Sequence, residues 1–164
     1  RRPCMRLLSL VLALLLVCTG CSSRPLTDIE PRQDYAAILR QFLPASSQMT
    51  ILTDPSQDTY GLLELYELTD QLMEQFAITL SPSNNTPYAL AIILPEAGQQ
   101  ETLLEKLQAL VEQKQLVYRD YLPKEYAIAA DAKLETMDTG EVVLAMCPDS
   151  DEVMEEIRQQ LEDA

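Results

Sequence analysis

The side chains with the most chemical reach in this sequence are few, and the thiols come first. Cysteine occurs four times, at Cys4, Cys18, Cys21 and Cys147. A nucleophilic or redox thiol needs a base, a cation or a second thiol beside it. The sequence contains no His. That excludes Cys-His and Ser-His-Asp arrangements, His-based proton transfer and imidazole zinc sites. Cys147 follows the apolar run Val142-Val143-Leu144-Ala145-Met146 and reads as a small buried hydrophobe. Carboxylates are the next candidates. Asp138-Thr139-Gly140 has the form used in paired-aspartate hydrolysis, but that chemistry takes two such Asp sharing a proton, and the triplet occurs once. It reads as a hairpin turn. Asp149, Asp151, Glu152, Glu155 and Glu156 form an acidic cluster without the spacing of a calcium loop, and read as a solvated helix face, with a weak cation site as the alternative. The remaining set is polar and aromatic: Tyr118, Tyr121 and Tyr126, with Arg119 and Lys124 among them. Tyr118 and Tyr121 are three residues apart and share a face if the helix persists. Tyrosine suits a binding surface because one end is apolar and the other wet, and it serves equally as the lid of a helix–sheet core. Tyr118, Arg119, Tyr121 and Tyr126 are therefore the candidate recognition patch.

The elements that position these residues follow from apolar spacing. Pro31 suits the first position of an opening helix carrying Tyr35, Ile38, Leu39 and Phe42, and Pro44 stops it. Residues 45–58 are turn-rich, with an edge strand or loop at 49–52. A short helix over 61–67 would bury Leu62, Leu63, Leu65 and Tyr66, and Thr69 could cap a further turn over 70–73. Residues 75–80 alternate, with Phe76, Ile78 and Leu80 on one face. Residues 81–87 form a loop, and 88–94 read as a central strand. Leu103, Leu104, Leu107, Leu110, Val111, Val117 and Tyr118 then fall at helical intervals, interrupted only at Lys114. Pro123 closes that segment, and 126–131 read as one loose turn of helix. A weakly alternating strand over 132–137, the turn at 138–140 and an apolar strand over 141–147 make a second hairpin. Asp149 and Glu152 have capping spacing ahead of a last helix lined by Val153, Met154, Ile157 and Leu161. The expected fold is α+β: an antiparallel sheet of about four strands with helices packed on it, the hairpin-then-helix order occurring twice.

Charge and the amino-terminal residues bear on location. The 164 residues carry 12 basic and 26 acidic side chains, a net charge of -14, which disfavours nucleic acid as a partner. Four scattered Gly provide no phosphate-cradling loop. Arg1, Arg2 and Arg6 precede an uncharged apolar run over 7–19, about 20 Å as a helix and short for a bilayer span. That order reads as a secretory signal peptide over 1–20. Thr19-Gly20-Cys21 resembles the end of the lipobox of bacterial lipoproteins, with Cys18 where Leu is usual. The resemblance implies cleavage before Cys21 and a diacylglycerol on its thiol; an ordinary signal peptide and an uncleaved anchor are the alternatives. Residues 21–30 then form the lipid-attached tether and 31–164 a single domain. Three of the basic side chains lie within 1–20 and no acid does, so the mature chain is more acidic still and should stand off an anionic membrane.

The stretch from Tyr118 to Tyr126, Tyr-Arg-Asp-Tyr-Leu-Pro-Lys-Glu-Tyr, resembles a motif of the small Firmicute lipoproteins that carry domain of unknown function 4358. Tyr60-Gly61, Gly140, the strand 142–146 and the acidic helix start at 149–153 sit where that pattern puts them, while Pro148 departs from it. The resemblance covers residues 31–161 and carries over no catalytic residue, metal or cofactor. It implies a Gram-positive, membrane-anchored extracytoplasmic lipoprotein. Its expected role is non-enzymatic, binding an unknown protein, peptide or envelope component. The alternatives are a solute- or cation-binding lipoprotein and a carboxylate-based envelope hydrolase.

Overall fold

A computed structural model describes residues 33–45 and 47–164. Four strands form one antiparallel sheet: β1 (Met73–Leu80), β2 (Ala89–Pro95), β3 (Lys133–Thr136) and β4 (Val142–Met146), in the order β1-β2-β4-β3. The α+β expectation, a four-stranded sheet built from two hairpins, holds. In the β2–β4 pairing at the centre, Ala89 lies opposite Met146 and Ile93 opposite Val142.

The strands β2 and β4 are apolar on both faces because both faces are covered. On one side, α2 (Leu62–Leu65), α3 (Gln100–Tyr118) and α4 (Pro123–Ala130) pack over Phe76, Ile78, Ala91, Ile93, Val142 and Leu144. On the other, α1 (Tyr35–Arg40) and α5 (Ser150–Glu162) pack over Ala77, Leu90, Ile92, Val143 and Ala145. Side chains alternate across a strand, so each helix layer takes every second residue and none is left for water.

Local chemistry sets the boundaries, and several differ from the spacing argument. Helix α1 starts at Tyr35 because the Asp34 carboxylate accepts from Ala37 N at 3.0 Å; Pro31, expected at that start, lies outside the described residues. Helix α2 is shorter than expected. Asp58 caps it by accepting from Leu62 N at 3.0 Å and Leu63 N at 2.7 Å, and Leu65 faces solvent instead of joining the core. The turn of helix expected over 70–73 is absent: β1 already begins at Met73, paired with Pro95 through a bulge. Pro123 opens a helix instead of closing one. It occupies the first position of the two-turn α4, while Leu122 before it is held out of the helical region at φ -134° and ψ 83°. Asp149 precedes α5 in the left-handed region at φ 56° and makes no capping bond with its side chain. The expected cap is absent there; instead the Ser150 hydroxyl donates to Asp131 O at 2.7 Å, pinning the start of α5 to the end of α4.

Two polar ties hold the second helix layer to the sheet. Arg158 of α5 pairs with Glu135 of β3. Glu141, buried at the hairpin, accepts from the Tyr35 hydroxyl at 2.9 Å and from the Thr139 hydroxyl. Asp138-Thr139-Gly140 is the turn itself: Gly140 N donates to Met137 O at 3.0 Å, with Gly140 at φ 103°, a conformation that suits Gly. Removing the Tyr35 hydroxyl leaves a buried carboxylate oxygen without one of its donors. Tyr35→Phe is therefore expected to cost about 1–3 kcal/mol, measured as the change in urea midpoint at constant slope.

Candidate functional site

The carboxyl-terminal half of α3 and its turn into α4 gather residues that the core does not explain. The buried face of α3 carries Leu103, Leu107, Leu110, Val111, Lys114 and Tyr118. Lys114 thus continues the apolar stripe as a cation, only 7% exposed. Its ammonium lies 5.8 Å from the centroid of the Tyr66 ring, which offers the negative face of its π system in place of a carboxylate. Burial holds the Lys114 ammonium below its ordinary value of 10.5. One turn on, Tyr118 is 1% exposed, and its hydroxyl has no hydrogen-bond partner. Burial, then the nearby Glu125 and Tyr66, raise its ionisation above the usual 10.0.

The helix ends at Tyr118, and this separates the tyrosines that spacing placed together. Past it, Tyr121 N and Leu122 N share the Tyr118 carbonyl, at 3.3 and 3.1 Å, in a last turn that is not continued. Tyr118 points into the core, whereas Tyr121 is 83% exposed. The two do not share a face, and Tyr118 leaves the recognition patch. Tyr126, on α4, is partly buried, and Arg119 is exposed, with Nε 3.5 Å from Asp120. Three neighbours join Tyr121 that the sequence reading passed over: Leu116, Val117 and Leu122 are all large, apolar and exposed. With Tyr121 they make four of the six exposed large hydrophobic side chains among the described residues. Gln115 supports them from below. Its amide donates to Ala129 O at 3.0 Å, satisfying a carboxyl-terminal carbonyl of α4 and fixing that helix against α3.

The other candidates fall in different places. Cys21 lies outside the described residues. Cys147 is buried, and burial together with Asp149 pushes its thiol up to about 11, so it stays protonated at neutral pH. Asp131, Asp149, Asp151 and Glu152 rim a depression of about 390 Å³ beside Cys147; all four are exposed, and Asp151 pairs with Lys133 at 3.3 Å. Elsewhere in α5, Glu155 lies 3.8 Å from Arg158. Among the described residues no group of three or more Cys, Asp or Glu side chains is arranged to hold a metal ion. A second depression, about 450 Å³, lies between Arg40, Leu43, Pro44, Met49 and Ile51. Among the described residues no helix is long and apolar enough to cross a membrane.

Lys114 and Tyr118 make a sharp test of this geometry. Lys114→Met keeps the stem against Tyr66 and removes the buried charge; it is expected to stabilise the domain by about 1 kcal/mol at pH 7. The sign of the pH dependence follows from linkage. The folded state releases the Lys114 proton at a lower pH than the unfolded chain does. Between the lowered folded value and 10.5 the unfolded chain binds more protons, so wild-type stability gains from raising the pH. The advantage of Lys114→Met should therefore shrink as pH rises from 7 towards 10.5. Tyr66, Tyr88 and Tyr118, all raised by burial, act oppositely above pH 10 in both proteins and leave the comparison intact. Tyr118→Phe deletes an unpaired hydroxyl and should change stability by less than about 0.5 kcal/mol.

No curated protein and no solved structure matches the chain. The sequence profile of the family described as Domain of unknown function (DUF4358) matches residues 50–147, from the strand-like segment before α2 to the end of β4. That match takes in β1 to β4 and the whole α3–α4 unit, more than half of the sequence, and the chain belongs to the DUF4358 family.

Proposed function

We propose that this protein is a lipid-anchored extracytoplasmic lipoprotein whose domain works by binding and not by catalysis, with the α3–α4 turn as its contact surface. The observation that carries the reading is the group of exposed apolar side chains Leu116, Val117, Tyr121 and Leu122 at one end of a fold whose other large apolar residues are mostly buried. Exposing such side chains together has no folding benefit, and clusters of this kind mark interaction sites. Tyr126 and Arg119 flank the group and supply polar contacts. The anchor half of the reading is supported by the basic-apolar-small order before Cys21 and by the lipobox resemblance. A bacterial cell membrane, seen from outside, is the location that follows.

Two measurements test the two halves. Mass spectrometry of the mature amino-terminal peptide should find Cys21 carrying a diacylglycerol; an unmodified Cys21 in protein recovered from the soluble fraction would overturn the anchor. For the surface, a photo-crosslinking side chain at position 121 in intact membranes should give adducts in high yield. The same group at Glu156, exposed on α5 across the sheet, should give few. Equal yields at the two positions would remove the α3–α4 turn as the contact surface.

A further inference from the structure

We infer that the uncovered edge of the sheet, β3, is a self-association site. A second copy of this chain pairs with it antiparallel, about a two-fold axis at Leu134, and joins the two sheets into one. The inference goes beyond the binding reading above: it uses a different surface and does not need the α3–α4 turn. The two edges of the sheet differ. On β1 the outer edge is occupied at Ile78, whose N–H donates to Leu52 O at 2.9 Å and whose carbonyl accepts from Leu52 N at 2.7 Å. Among the described residues β3 has no such neighbour, and its one ladder is with β4. The hairpin fixes which of its groups are left over. Met137 N donates to Glu141 O at 2.8 Å, so Met137, Glu135 and Lys133 turn their backbone groups to β4, and Leu134 and Thr136 turn theirs outward. Among the described residues no backbone hydrogen bond uses those outward groups.

Free donors and acceptors at alternate residues are matched by another extended strand. Backbone alternation then limits how a second β3 can dock, because outward residues must face outward residues. Leu134 opposite Leu134 of the second copy meets that condition. Two bonds join the Leu134 pair, and each Thr136 N–H faces the Ala132 carbonyl across the axis. The same register sets Lys133 of each copy opposite Glu135 of the other, a cross-strand pair of opposite charge. The next registers that the backbone allows, on either side, set Glu135 against Glu135 or Lys133 against Lys133. Both side chains already have partners on α5, and these extend the same order: Asp151 lies 3.3 Å from Lys133 Nζ, and Arg158 meets Glu135. Across the junction the signs alternate from Asp151 through Lys133 and Glu135 to Arg158, with Glu155 3.8 Å beyond it. On the other face the half-buried Ile128, Ala132 and Leu134 rim the core, and the second copy covers them with its own. The net charge of -14 opposes the approach of two copies, so the pair is weak and gains from confinement to one membrane. The symmetry suits that confinement. An axis normal to the sheet leaves α1 and α5 of both copies on one side. Gln33 is on that side too, its carbonyl accepting from Gln75 Nε2 and its amide donating to Leu161 O.

The test uses the full chain reconstituted in vesicles, with one cysteine introduced as Leu134→Cys, Glu135→Cys, Thr136→Cys or, as a collision control, Glu156→Cys on α5. The unsubstituted protein sets the background from the native thiols. Oxidation by copper phenanthroline should link 134 to 134 with at least about fivefold the yield at 136 or 156, because opposed Cα atoms in a bonded pair lie about 5.5 Å apart, within disulfide reach. The two Thr136 positions are separated by the rise of four residues, about 13 Å. A yield highest at 135 reports the register with like charges opposed and would overturn the inference. So would a yield at 134 no higher than at 156. A second measurement keeps the native Leu134 and decides the matter if Leu134→Cys fails to fold. Sedimentation velocity of the unsubstituted protein in detergent should show a dimer that grows with concentration. Thr136→Pro, which removes only an outward N–H, should lower the dimer fraction at least about threefold with thermal unfolding unchanged. A dimer fraction indifferent to Thr136→Pro would overturn the pairing. A monomer at every concentration up to about 1 mM, the result expected if a strand of another protein fills this edge, would overturn it as well.

Discussion

Everything in this fold depends on a sheet that must be covered twice. Ala89, Leu90, Ala91, Ile92 and Ile93 on β2, and all five residues of β4, are buried. Covering one face alone would leave half of them in water, at roughly 25 cal/mol for each Å² of apolar surface. The two helix layers are therefore obligatory. α3 and α4 supply one, α1 and α5 the other, and the short polar ties at Glu141, Arg158 and Ser150 set where each helix begins or lies. The surface left for function is confined to the parts that the sheet does not need, chiefly loop ends and the end of α3.

That division explains why the anomalies cluster. α3 is long enough to reach past the sheet it covers, so its last turn carries a buried face and an exposed apolar face at once. Lys114 and Tyr118 lie on the inner side, where an apolar pair would pack as well; Leu116 and Val117 lie on the outer side, where polar residues would be expected. A stretch in which both faces run against the usual assignment is not optimised for folding alone. The reading of this end as an interaction surface draws on that inversion, and the acidity of the rest of the molecule limits what could approach it.

Much of the architecture was legible in the residues. The apolar runs of β2 and β4, the period of α3 from Leu103 to Val111 and the Gly140 turn each have a strong local signal, and the four-stranded α+β arrangement follows from them. The errors lie where tertiary contacts decide. Pro123 opens a helix and does not stop the one before it, which has already ended at Tyr118, and spacing alone distinguishes these roles poorly. Asp149 has the side chain of a cap, but its backbone is left-handed, and Ser150 makes the bond that holds the start of α5 in place. Leu65 has the right type for the core and the wrong direction. At the candidate site the tyrosines were visible as a set, but their division between core and surface, Tyr118 buried and Tyr121 exposed three residues later, depends on where the helix ends and on what packs over it, which spacing does not give. Lys114 did announce itself as a break in the apolar period; its meaning required Tyr66, nearly fifty residues earlier, to be seen beside it.

The strand order carries a kinetic consequence. β2 lies next to β1 in the sequence and in the sheet, yet its other edge is filled by β4, whose last residue is Met146. A ribosome delivers the chain from its amino end, so a nascent first hairpin presents an open, wholly apolar flank for the time needed to add some fifty further residues. Non-local pairings of this kind are slow to form and prone to self-association while they wait. Holding the polypeptide unfolded until β4 has emerged, whether by a chaperone or by threading through a translocation channel, would spare it that interval.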